Sequence, residues 1–330
     1  MRISILYHFR SGPWGGGNQF LQALKKIFQK HNCYQSSPEK ADILLINSFH
    51  LEEIISLSRL RQLKNNLGKI IIHRVDGPVS LVRGKDICLD RIVYDFNRLF
   101  ADATIFQSSW SRKSNYTLGL KPGLFQKTIL NAPDPKIFYP KKANRSDSRQ
   151  RKVKIIATSW STNWRKGFDF YQYLDQRLNF RRFQMTFVGR SPVEFKNIKH
   201  IKPQNSYRLA KTLRNHDLFL TASVFDPCSN SLIEALHCGL PAVTRRSGGH
   251  PEIVGQAGLL FDNKKELLRA LEKAAKNIDK LKKQIKLPSL EEVGWDYYKF
   301  CRKIYSLSQK GSYCPRKISF FNYLRLKRNL

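Results

Sequence analysis

Two acidic residues eight positions apart, Asp226 and Glu234, frame the segment of this chain best suited to chemistry. Between them, Ser229-Asn230-Ser231 can present backbone and hydroxyl donors at the start of a helix, with Glu234 one turn inside it. A carboxylate at such a place suits a sugar diol, and the N–H groups of a helix start suit an anionic diphosphate. Helix capping would explain Asp226 or Ser229, and a surface ion pair would explain Glu234. Neither explains the whole string, which continues into Ser247-Gly248-Gly249-His250-Pro251-Glu252.

Three other clusters follow apolar runs. Gly12-Pro13-Trp14-Gly15-Gly16-Gly17-Asn18 could bring backbone N–H groups close to an anion ahead of a helix, or could be a turn that needs positive φ angles. His73-Arg74-Val75-Asp76-Gly77-Pro78 gathers an imidazole, a guanidinium and a carboxylate where a strand ends, with a plain turn as the alternative. Arg165 and Lys166, followed by Gly167, could neutralise a phosphate beside a helix start or form a solvated face.

The elements that must hold these residues alternate along the chain. Apolar runs at 3–7, 43–46, 70–72 and 103–106 read as buried strands, with helical patterns at 18–28 and 51–63. The pattern restarts after the polar, basic stretch 141–152, which reads as a linker. Strands are expected at 153–158, 184–188, 218–221 and 242–244. Helices are expected at 231–238, where Gly239 and Pro241 stop the run, and at 264–285 and 295–306. Such βα alternation predicts an α/β fold with a parallel sheet in each half.

At 330 residues and 38.5 kDa the chain is long enough for two domains, and 41% hydrophobic residues can fill two cores. Its formal charge of +34 is spread over both halves: residues 1–150 carry 24 basic and 11 acidic side chains, and residues 151–330 carry 35 and 14. Each half therefore attracts polyanions, whether nucleic acid, an anionic membrane or a phosphorylated small molecule. No stretch approaches the roughly 20 apolar residues of a membrane span, and the first apolar run lacks the cleavage site of a signal peptide. The six cysteines form no metal-ligand or C-x-x-C spacing and read as reduced thiols, pointing to a cytoplasmic protein, peripheral at most on the inner face of a membrane. Residues 310–330 hold six basic residues and no acidic one beside Phe320, Phe321, Tyr323, Leu324 and Leu326. This tail either packs on its own protein or docks on an anionic bilayer.

Taken in order, these motifs resemble the retaining glycosyltransferases of family 4, which have the glycosyltransferase B fold of two Rossmann-like domains facing an interdomain cleft. The resemblance covers about residues 1–306. It rests on the glycine-rich first loop, Asn131-Ala132-Pro133-Asp134 through Pro140, Lys166-Gly167, Gly189-Arg190, the acid-x(7)-acid block at Asp226 and Glu234, and the Gly-Gly-x-x-Glu turn. It implies an acceptor-side domain at 1–145, a nucleotide-sugar-binding domain at 152–306 and a basic tail at 307–330. It also implies that Glu234 binds the donor ribose and that Asp226 lies near the transferred sugar. Ser229, Asn230 and Ser231 would meet the diphosphate at the helix start, with Lys166 neutralising it. Gly16 and Gly17 would close over it, and Arg190 belongs to the same donor-binding set.

This sequence departs from the pattern at three places. Asp226 stands where a glutamate is usual, which shortens the reach by one methylene. Ser161 replaces an arginine, so Arg165 would supply the second positive charge. The first-domain histidine is matched only by His73, with Asp76 as the nearby acid. The reaction implied is transfer of a sugar from a UDP or GDP donor to a hydroxyl of a glycan or lipid-linked acceptor, with retention and with no cofactor. No metal is expected, because no D-x-D pair stands at a strand end. Two alternatives remain: a nucleotide-sugar epimerase of the same fold, and a basic polyanion-binding protein, although no nucleic-acid-binding signature supports the second.

Overall fold

A computed structural model describes residues 1–10, 12, 16–48, 54–141 and 151–329. Pro13, Trp14 and Gly15 of the glycine loop, residues 51–53 of an expected helix and residues 142–150 of the expected linker lie outside them. The chain divides into two compact units.

Unit 1 comprises Met1–Arg10, Leu21–Asn131 and Leu290–Leu330. Its sheet is parallel and runs in sequence order through β1 (Ile3–Leu6), β2 (Ile43–Asn47), β3 (Ile70–Val75), β4 (Ala103–Phe106) and β5 (Phe125–Thr128). All residues of β1, β3 and β4 are buried, as in strands covered on both faces, and the buried polar Ser4, His73, Arg74 and Thr104 are among them. Between them run α1 (Gly16–Lys30), whose first turn groups with unit 2, and α2 (Leu57–Leu67), α3 (Val79–Arg83), α4 (Ile87–Phe100) and α5 (Ser109–Thr117). Ser56 and Ser108 start α2 and α5 by accepting from Arg59 N and Ser111 N.

Unit 2 comprises Ser11–Phe20 and Ala132–Ser289. It contains β6 (Val153–Ser159), α6 (Phe168–Arg177), β7 (Phe183–Gly189), β8 (Lys199–Ile201), α7 (Ser206–Leu213), β9 (Leu218–Thr221), α8 (Asn230–His237), β10 (Ala242–Arg245), α9 (His250–Val254), β11 (Gly258–Phe261), α10 (Lys264–Lys276) and α11 (Ile278–Lys282). The six strands are parallel in the order β11-β10-β9-β6-β7-β8. The chain thus proceeds outward from β6 to β8, then returns to the other side of β6 with β9. That reversal leaves a crevice at the carboxyl ends of β6 and β9, the place where open α/β sheets bind ligands.

Two expectations about organisation need correction. The helix expected at 264–285 is broken at Asn277, whose Nδ2 donates to Lys273 O instead of leaving that carbonyl to the helix ladder. The domain boundaries also shift. Residues 132–140 belong to unit 2: Arg214 donates to Ile137 O at 2.8 Å and stacks over Tyr139, and the Gly239 backbone fits against Pro140.

Conversely, α12 (Leu290–Gln309), expected in the second domain, belongs to unit 1. Its Tyr297 Oη accepts from the buried Arg74 at 3.0 Å, and Glu291 accepts from Lys30 at 2.9 Å. Asp296 pairs with Lys127 at 2.7 Å, and Gly294 lets Ile27 approach where a Cβ would stand 2.4 Å from its Cγ2.

The segment expected as a tail at 307–330 is likewise packed into unit 1. Asp102 fastens it, accepting from Tyr313 Oη at 2.7 Å and Arg316 N at 3.2 Å, while also accepting from Ile71 N and pairing with the buried Lys64. Removing this carboxylate strands an ammonium in the core. Asp102→Ala is therefore expected to cost about 3–5 kcal/mol, measured as a lowered denaturant midpoint.

Candidate functional site

β6 and β9 deliver their last residues to the crevice, and the loops that follow build a pocket of about 350 Å³ within unit 2. β6 ends at Ser159 and is followed by Trp160 and Ser161, then a 3-10 turn, Trp164–Lys166, begun by Asn163, whose side chain accepts from Arg165 N. Gly167 closes the turn at φ +83°, and a Cβ there would lie 2.4 Å from Ala222 O; the close approach of the two loops requires glycine. Lys166 is thereby directed into the pocket, where its Nζ lies 3.0 Å from Asp226 Oδ2.

Asp226 is held by the glycine turn that follows β10. Its carbonyl accepts from Gly249 N at 2.8 Å, and a Cβ on Gly248, at φ +63°, would sit 2.2 Å from that same oxygen. Burial pushes the Asp226 carboxyl up, but the Lys166 ammonium, with the buried His250 behind it, more than offsets this, so the group sits below its ordinary value. The ion pair holds Lys166 and Asp226 ready at the pocket wall. His250 shares its ring nitrogens with Ser223 Oγ and Arg245 O, and burial lowers its pKa against the opposing pull of Asp226.

Helix α8 supplies the opposite wall. The Ser229 side chain makes no capping hydrogen bond to this helix; its hydroxyl instead lies 3.2 Å from that of Ser231. An uncapped helix start offers N–H groups and the positive end of the helix dipole to an anion. Asn230, Ser231 and Glu234 all line the pocket. Burial pushes the Glu234 carboxyl up to about 8, and it has no hydrogen-bond partner among the described residues. A carboxyl so placed is suited to a ligand hydroxyl pair. Gly16, in the first turn of α1, completes this wall: a Cβ there would overlap Asn230 at 2.4 Å.

The site residues expected from sequence therefore separate. Lys166, Asp226, Asn230, Ser231, Glu234 and Gly16 share one pocket. Ser229 is buried just behind it as the residue preceding α8. Gly17 faces open space and lies outside the lining. Arg165 and Arg190 also lie outside the lining: Arg165 stacks 5.2 Å over Phe225, and Arg190 stacks 4.8 Å over Trp160. Arg190 thus braces a lining residue, while Arg165 points away from the ammonium of its neighbour.

His73 and Asp76 belong to unit 1. β3 extends to Val75, so His73 lies inside the strand and its ring is fully buried against Phe96, bonded to Ser48 O and Asn97 Nδ2 at 3.1 Å each. Burial lowers its pKa to about 4, leaving a neutral core imidazole out of reach of a substrate. Asp76 is only partly buried, just beyond β3, and pairs with Arg74 at 3.0 Å.

Sequence reasoning missed Gln204, Ser206, Thr221, Ser223 and Tyr171, all of which line the pocket. Thr221 and Ser223 could have been found by their place at the end of β9; Gln204 and Ser206 carry no motif. Among the described residues no group of three or more His, Cys, Asp or Glu is gathered as metal ligands.

Residues 153–277 match the sequence model of the glycosyl transferases group 1 family. That stretch contains every strand of unit 2 and all the pocket carboxylates. No curated protein matches the whole sequence.

Among solved structures, Anabaena HepE in complex with UDP is similar with a TM-score of 0.67 at 14% identity, over 92% of this chain and 100% of that one. Sucrose-phosphate synthase from Thermosynechococcus elongatus gives 0.64 at 16% identity, over 89% and 79%. The catalytic domain of Arabidopsis thaliana starch synthase IV, bound to ADP and acarbose, gives 0.60 at 13%, over 89% and 79%. The fold is that of the glycosyltransferase B structures, with two parallel-sheet α/β units. No helix among the described residues is long and apolar enough to cross a membrane.

Proposed function

We propose that the chain is a retaining, metal-independent glycosyltransferase that moves a sugar from a UDP or GDP donor to a hydroxyl of a glycan or lipid-linked acceptor. One observation carries this reading: Lys166, Asp226, Glu234 and the uncapped start of α8 line a single pocket at the strand-order reversal of unit 2. The group 1 match over the same residues supports it, as does the presence of UDP or ADP in two structures of the same fold. The resemblance to family 4 in the sequence motifs adds retention.

In this mechanism Glu234 takes the ribose hydroxyls, and the diphosphate lies between Lys166 and the N–H groups of α8. The bond from the anomeric carbon to the diphosphate oxygen breaks while a bond to the acceptor oxygen forms on the same face. The acceptor proton leaves with the diphosphate oxygen. Charge grows on the leaving group, where the ammonium and the helix start are already in place. Asp226, one methylene shorter than glutamate, holds Lys166 and meets the transferred sugar. His73, fully buried in the core of unit 1, takes no part in this mechanism.

The test is turnover of the full chain with UDP- and GDP-sugars and an oligosaccharide acceptor, in EDTA, followed by NMR of the product anomer. Nucleoside diphosphate release with an unchanged anomer is expected. Loss of turnover in EDTA would overturn metal independence, an inverted anomer would overturn retention, and release of an isomerised nucleotide sugar would identify an epimerase.

A further inference from the structure

Residues 313–326 are packed onto the rest of unit 1 through Tyr313, Ile318 and Leu326. Ile318 exchanges hydrogen bonds with Asn65, at 2.8 Å in both directions, and its carbonyl also accepts from Arg61. In α13 (Phe320–Asn329), Leu326 is buried with Ile318 in the cluster formed by Leu57, Leu60, Leu63 and Phe96 of α2 and α4. This seat explains one apolar stripe. A second stripe is exposed: Phe321 is 82% exposed and Leu324 43%, while Phe320, 54% exposed, stands at its edge with its ring 5.8 Å from the Arg61 guanidinium.

Phe321, Leu324, Arg325 and Arg328 fall at i, i+3, i+4 and i+7, a single line along the helix, and all four are exposed. Lys317 and Lys327, also exposed, add charge to either side. The whole segment from 310 to 330 has six basic residues and no acidic one. Scattered apolar side chains on a surface need no explanation, but three on one helix, set among cations without a single carboxylate, are a pattern.

We propose that the outer face of α13 docks on an anionic lipid bilayer, with Phe320, Phe321 and Leu324 entering the boundary of headgroups and acyl chains. Lys317, Arg325, Lys327 and Arg328 then meet lipid phosphates. Aromatic and leucine side chains on one line, with Lys and Arg beside them, are what an interfacial helix presents to such a surface. The charge selects this occupant: a second copy of the chain would bring an equally basic face against it, and the repulsion would oppose pairing. The surface belongs wholly to unit 1 and does not depend on the reading of the pocket in unit 2.

The experiment is cosedimentation of the full chain with vesicles of phosphatidylcholine alone and of phosphatidylcholine with phosphatidylglycerol, at physiological salt. Because a chain of +34 adheres to any anionic surface by charge, the decisive variant keeps the charge: Phe321→Ser with Leu324→Ser. Binding to the anionic vesicles only is expected, with a partition coefficient at least about tenfold lower in this variant. A second variant, Arg325→Gln with Arg328→Gln, is expected to lose a similar factor and the steepest part of the salt dependence. Both substitute exposed positions, so unchanged melting curves are expected. Equal binding of the serine variant and the wild type would overturn the proposal, as would equal binding to both kinds of vesicle, binding to neither, or a dimer that the serine variant dissociates.

Discussion

Lys166→Ala is expected to lower turnover about 10²–10³-fold while weakening nucleoside diphosphate binding about tenfold, the split that marks a group acting mostly on charge developed at the leaving oxygen. A charge-assisted hydrogen bond contributes roughly 1.5–3 kcal/mol, and more where the charge grows during the reaction. The variant also changes Asp226. Without the ammonium, burial dominates at Asp226 and its carboxyl should rise above the ordinary carboxylate value instead of lying below it.

The sign for stability follows from the wild type. The folded-state pKa of Asp226 is depressed, so its contribution is present above the unfolded value near pH 4 and is lost as pH falls through the folded value. In Lys166→Ala that contribution reverses, and stability should decline as pH rises above about 4. Steady-state kinetics and melting curves across pH check both statements.

Glu234 is expected to behave in the opposite sense in the two assays. Its carboxyl, pushed up to about 8 by burial, holds its proton at neutral pH when the unfolded chain would have lost it. The folded state thus binds more protons between about pH 4.5 and 8, and stability from this group falls as pH rises through that window. Glu234→Gln removes the titration. The free protein should gain on the order of 1–3 kcal/mol at pH 8 and little at pH 4.5.

Donor binding should suffer instead. Ribose hydroxyls donate best to an ionised carboxylate, so wild-type affinity should rise up to about tenfold per pH unit toward pH 8 and level above it. Glu234→Gln should bind the donor about 10–10²-fold more weakly at pH 8 and lose that dependence. A variant that is more stable yet binds less is the behaviour expected of a group placed for a ligand and not for the fold.

The parts of this site legible in the sequence are those whose geometry is local. Asp226, Ser229, Asn230, Ser231 and Glu234 lie within one loop and the first turns of one helix with a buried face, and that short spacing fixes their relation. Strands such as Leu218–Thr221 and Ala103–Phe106 are short buried runs bounded by polar residues, and they appear where expected.

Arg165 was legible as a charge but not as a direction. In a 3-10 turn successive side chains point about 120° apart, so one of two adjacent cations reaches the pocket and the other stacks on Phe225. His73 was misplaced because β3 runs three residues beyond its apolar core, and alternation then turns the imidazole into the interior. The return of α12 to unit 1 depends on Tyr297 meeting Arg74 and Glu291 meeting Lys30, contacts across more than two hundred positions that leave no local pattern. Gln204 and Ser206 follow β8, which pairs with β7 at the sheet edge, so their place at the pocket is a fact of sheet order and not of spacing.

The most direct test of the donor pocket is a calorimetric titration of UDP, GDP and their sugars into the full chain and into Glu234→Ala, at moderate salt and pH 8. One nucleotide should bind with a stoichiometry of one, and its affinity should fall about 10²-fold in the variant. Binding of none of them, or binding that Glu234→Ala leaves unchanged, would contradict the assignment of this pocket to a nucleotide-sugar donor.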